Sequence, residues 1–88
     1  MRTVYKYPIE IVDFQTVQVP MDFKMLTTAV QNDAVCIWAE VETTIPTLPL
    51  KIYVVGTGHR LPDGIDLNYI GSVQLYDGKS VFHVYWAW

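Results

Sequence analysis

Residues 24–42 read KMLTTAVQNDAVCIWAEVE, and the second half of that stretch decides the class of fold. From Val35 to Glu42 the side chains alternate, with Val35, Ile37, Ala39 and Val41 on one side and Cys36, Trp38, Glu40 and Glu42 on the other. Period two over eight residues is the pattern of a strand with one face on a core. Asn32-Asp33 stands just before it, a pair that tolerates the positive φ of a tight hairpin, so Lys24–Gln31 is expected to run back alongside as a second strand. The first arm has a rival description. Phe23, Leu26, Thr27 and Val30 also fit spacings of three and four, which admits one short helix over 22–30; the threonines and the turn that follows favour the strand.

Working outward, Arg2–Tyr7 alternates until Pro8, and Phe14–Val19 until Pro20. Proline removes a ladder donor, so Arg2–Tyr7 reads as an edge strand or a strand end. Thr43–Pro49, with two prolines, reads as a semi-rigid loop. Leu50–Thr57, Tyr69–Tyr76 and Ser80–Trp86 complete the set, the last two joined by an Asp77-Gly78 turn. The composition agrees: Val, Ile and Thr supply 27 of 88 residues, whereas Ala and Leu together supply ten, poor material for a helical bundle. The expected fold is all-β, one domain over residues 1–88, a small antiparallel sandwich or partly open barrel of about seven strands.

Charge narrows the partners. Net charge is −3, and the six basic residues at 2, 6, 24, 51, 60 and 79 form no stripe, which argues against a long nucleic acid and against a polybasic membrane anchor. No apolar run approaches the ~20 residues of a spanning helix. MRTVYKYP lacks the apolar stretch of a signal peptide, and the lone Cys36 cannot form an internal disulfide, so a reducing cytoplasm is the expected compartment. His59, His83 and Cys36 lie on separate elements without zinc-type spacing, so neither a metal nor a cofactor is expected. Cys36 reads as an inert buried thiol, and Glu40 and Glu42 as a solvated face rather than a paired acid and base.

Several strands carry large apolar groups on both faces, more than a small sandwich normally hides, which predicts a homo-oligomer. The expected contact residues are Trp38, Phe82, Tyr85, Trp86 and Trp88; the competing description has the tail aromatics filling the monomer's own core.

One segment has the composition of a site. Gly56, Thr57, Gly58, His59 and Arg60 follow a strand and precede Leu61-Pro62-Asp63-Gly64. Two glycines one residue apart let backbone N–H groups line an anion-attracting concavity. Arg60 adds a planar fork for phosphate or carboxylate, and His59 and Thr57 add polar groups. These five residues are the candidate ligand-binding set. The simpler description is a loop whose glycines only turn the chain. No Walker or Rossmann pattern is present, since no helix follows.

Val4-Tyr5-Lys6-Tyr7-Pro8, Cys36-Ile37-Trp38-Ala39, Gly56-Thr57-Gly58-His59 with Leu61-Pro62-Asp63, Tyr69-Ile70-Gly71-Ser72-Val73-Gln74 and Val81-Phe82-His83-Val84 resemble, in this order, a family of small bacterial and phage proteins that holds a domain of unknown function. The resemblance implies no activity, so no catalytic residue follows from it. Members more often have proline at the position of Arg60, which weakens the case for that residue. Phage kinship implies roles such as neutralising a host factor or a host signalling nucleotide. Together with the absence of any recognisable nucleophile–base set, the expectation is a non-enzymatic, oligomeric binding protein for a small anionic ligand such as a signalling nucleotide. The alternative is a protein–protein interaction module that inhibits or accompanies a host or virion protein through the Arg2–Tyr7 edge and the aromatic tail.

Overall fold

A computed structural model describes all 88 residues. It contains seven strands and no helix: β1 (Arg2–Ile9), β2 (Gln15–Pro20), β3 (Lys24–Gln31), β4 (Ala34–Glu42), β5 (Thr47–Gly56), β6 (Asn68–Leu75) and β7 (Ser80–Ala87). They form two antiparallel sheets, a three-stranded one in the order β1-β4-β3 and a four-stranded one in the order β2-β5-β7-β6. The thinnest axis of the molecule is 15 Å, as two sheets stacked ~10 Å apart require.

The alternation read in β4 sets the inner face of the three-stranded sheet. Val35, Ile37, Ala39 and Val41 are buried and meet Val19, Leu50, Ile52, Val54, Val73 and Val84 of the other sheet. The hairpin turn is where the sequence places it: Asn32 and Asp33 have φ of 50° and 64°, and Gln31 pairs with Ala34. Residues 22–30 hold no helix. Lys24–Gln31 is a strand because each of its side chains except Leu26 finds a register partner on β4, with Thr28 opposite Ile37 and its hydroxyl donating to the Cys36 carbonyl at 2.8 Å.

Two prolines fall inside strands rather than at their ends. Pro8 pairs with Cys36 on β1, which has no second neighbour. Pro49 pairs with Gln18, beyond the point where β7 stops at Ala87 opposite Lys51, so β5 has one neighbour there. In both places one side of the backbone needs no ladder donor. The loop expected over 43–49 is accordingly shorter, with Thr47–Pro49 already in β5.

β5 and β6 both run antiparallel to β7 and lie on either side of it, so they are parallel to each other. The connection 57–67 must therefore cross β7. Paired residues share a sheet face, so Tyr53, Val55, His83, Tyr85 and Ala87 all point away from the core. The connection lies over that outer face, which is why Tyr53, Val55 and Ala87 are buried there. On the opposite flank, β3 and β6 approach closely enough that a Cβ on Gly71 would lie 3.1 Å from Thr28 Cγ2.

Replacing Ile37, fully buried at the centre of β4, tests this arrangement. Ile37→Ala is expected to lower the unfolding free energy by about 2–5 kcal/mol in a urea titration. The exposed substitution Gln31→Ala, next to the turn, is expected to change it by less than about 0.5 kcal/mol.

Candidate functional site

The 56–60 segment is a turn pinned at both ends. The His59 N–H donates to the Gly56 carbonyl at 3.0 Å, with Gly58 at φ 85° between them. The Thr57 N–H donates to the Val81 carbonyl at 3.2 Å, which extends the β5–β7 ladder into the loop. Gly56 is needed for space rather than for φ: a Cβ there would lie 3.1 Å from Nδ1 of the His59 ring.

These bonds change what the segment offers a ligand. Two of its N–H groups already have partners, so the backbone concavity expected from the glycine spacing is partly filled. Arg60 is engaged as well, in an exposed ion pair with Asp63 three residues on. The five candidate residues stay together, but Arg60 points to a different space from that reached by Thr57.

Three clefts border the turn, and His59 lines each; the two larger ones differ in charge. The first, about 570 Å³, has Tyr53 and Val55 as its floor, Phe14 as one wall and Leu61 and Pro62 as the other, with Asp13, Arg60 and Asp63 at the rim. Phe14 is half exposed and tilts onto Tyr53 with ring centroids 5.4 Å apart. Two carboxylates against one guanidinium make this rim a poor seat for an anion. The second cleft, about 340 Å³, is lined by Gly56, Thr57, His59, Lys79, Ser80, Val81 and Phe82. It contains no carboxylate, and the Lys79 ammonium takes part in none of the four ion pairs.

On the outer face beside the turn, Thr57 Oγ1 lies 2.8 Å from His83 Nε2. His59 and His83 thus flank the same threonine despite their separation in sequence, yet no group of three metal-ligating side chains forms. Sequence reading missed Lys79, Ser80, Phe14 and the Thr57–His83 contact. The available signal for Lys79 was its place just after the Asp77-Gly78 turn; pairing of β5 with β7, which brings it to Thr57, is a tertiary fact.

The five residues expected at an interface do not share a surface. Phe82 and Trp86 point inward and pack on the core. Tyr85 lies on the outer face of the same sheet, 5.2 Å from Tyr69. Trp38 is half-buried on the outer face of the three-stranded sheet, between Lys6 and Thr27. Trp88 is 53% exposed but joins Phe23 and Trp86 in an edge-to-face cluster. Cys36 is buried. Glu40 accepts from Arg2 at 2.7 Å, the contact that most raises the Arg2 pKa, so it belongs to a surface network with Asp22.

Over residues 1–88 the sequence matches one family model, the Domain of unknown function (DUF7352). The chain belongs to that family. No curated protein and no solved structure matches it. For this DUF7352 chain, function is therefore argued from the site's own geometry.

The tight fit of His59 on Gly56 gives a direct check. Gly56→Ala is expected to displace the His59 ring, seen as changed imidazole proton shifts by NMR, at a cost of about 1 kcal/mol. In a His59→Ala background the same substitution is expected to cost almost nothing.

Proposed function

We propose that this chain is a non-catalytic binding protein that captures a small anionic ligand of the nucleotide class. The observation that carries the reading is the cleft of Gly56, Thr57, His59, Lys79 and Ser80, which joins an unpaired ammonium, an imidazole and two hydroxyls without an acidic group. That is a donor set suited to phosphate. The neighbouring aromatic cleft offers a half-exposed Phe14 ring beside Tyr53, a surface on which a nucleobase can stack.

In this reading the anion seat lies with Lys79 rather than Arg60, while Thr57 and His59 still supply polar groups and Gly56 serves to make room for the His59 ring. Thr57 and His83 form a hydroxyl–imidazole pair, but an activated hydroxyl also needs a group that orients the base. His83 makes no other side-chain hydrogen bond, which favours binding over covalent chemistry. Sequestering a host nucleotide signal in the cytoplasm, the role suggested by resemblance to phage proteins, requires nothing more than such a seat.

A protein-docking role through β1 and the tail has one supporting feature: β1 is an edge strand with Val4 and Tyr5 exposed. Against it, β1 and β7 belong to different sheets, and Lys6 and Pro8 blunt the β1 edge.

Calorimetry and thermal shift with pyrophosphate and a panel of nucleotides test the reading. Ligand at 100 times its Kd is expected to add roughly 2.7 kcal/mol of stability. Lys79→Ala is expected to weaken binding at least about tenfold, the worth of one charge-assisted hydrogen bond. Phe14→Ala should weaken nucleotides but not pyrophosphate, and Arg60→Ala should change little. Absence of any heat or shift across the panel overturns the proposal.

A further inference from the structure

Two open sheets have four outer strands, and three of these are protected against pairing with another chain. β1 carries Arg2, Lys6 and Pro8. β3 is interrupted by a bulge between Met25 and Thr27, and β6 by one between Tyr69 and Gly71; the two lie against each other at the Thr28–Gly71 contact. Charge, proline, bulges and mutual cover are the devices by which natural edges avoid new partners. β2 has a single such device, Pro20 at its last position, and none along Gln15–Val19. Its sequence there, QTVQV, is uncharged, its register with β5 is unbroken from Gln15 to Pro20, and its other side is bare.

The surroundings of β2 are also unusually apolar. Ile11, Val12 and Phe14 precede it, Met21 follows it, and Leu48 pairs with Val19 on the neighbouring strand; all five are exposed.

We infer that β2 is a dimerisation edge and that its occupant is β2 of a second copy of this chain. The pairing is antiparallel about a two-fold axis perpendicular to the sheet, which joins two four-stranded sheets into one of eight strands. Such an axis keeps like faces together, so only residues of the same parity oppose each other. Centred on Val17, it sets Val17 against its own copy, Thr16 against Gln18 and Gln15 against Val19. No like charges meet in this register, whereas β1 paired with itself about Val4 would set Arg2 against Lys6. Self-pairing also places both copies of the Phe14 cleft on one side of the joined sheet. This inference is independent of what the clefts bind.

Sedimentation of the full chain is expected to give a species of twice 10.1 kDa. The double variant Thr16→Lys/Gln18→Lys changes two exposed side chains and sets lysine against lysine twice across the axis. It is expected to weaken the dimer at least about tenfold while leaving the circular dichroism spectrum unchanged. Mixing it with Thr16→Glu/Gln18→Glu should restore a dimer containing one of each. A wild-type monomer at the highest soluble concentration overturns the inference. So does a dimer indifferent to both double variants, which would place the contact elsewhere, such as the groove of Phe23, Leu26, Ile70 and Trp86. If the lysine variant unfolds, failure of the mixture to recover a folded heterodimer counts against β2, and recovery supports it.

Discussion

The molecule rests on two rows of side chains that meet face to face. Val35, Ile37, Ala39 and Val41 on β4 form one row, and Leu50, Ile52 and Val54 on β5, extended by Val84 on β7, form the other; every member is essentially sealed from water. A slip of one residue on either strand would turn its whole row toward solvent. The register of β5 is therefore fixed by the core, and with it the position of the turn that starts at Gly56. What the clefts contain follows from that register, because Thr57 reaches Val81 and His83 only while Gly56 stays opposite Phe82.

The surface is ordinary in extent and unusual in content. A 10.1 kDa monomer is expected to expose roughly 5,300 Å², and this chain exposes 5471 Å². A surplus of apolar residues in the sequence therefore does not mean an excess of uncovered area. Much of it is absorbed by the 57–67 connection, which covers the outer face over Tyr53, Val55 and Ala87. What remains is local: a patch around β2 and an aromatic groove between β3 and β6. Oligomerisation is better argued from those places than from composition.

The legibility of the sequence varied with the range of the interaction involved. β4 and the Asn32-Asp33 turn were readable because alternation and turn chemistry are local. Pro8 and Pro49 misled the boundaries because a proline's effect depends on whether a strand has a second neighbour, which is a property of sheet order. The Gly56–Arg60 turn was readable as a turn, with Gly58 left-handed as expected. Its chemistry was only half readable. Arg60 meets Asp63 within the same loop, a spacing open to inspection, whereas Lys79 and His83 arrive from β7 and its hairpin. The tail aromatics looked like one unit in sequence, yet strand geometry sends Phe82 and Trp86 one way and Tyr85 the other.

The place of β7 between β5 and β6 has a consequence for how the chain is made. Strands leave the ribosome in chain order, so β5 and β6 are available while the slot between them is still empty. They cannot simply close on each other, because the space belongs to a segment synthesised later. Until Ser80–Ala87 is released, the four-stranded sheet lacks two of its three strand pairings. Assembly of this sheet therefore waits on β7, which acts as a keystone, and the strands made before it must stay soluble with unpaired edges until it arrives.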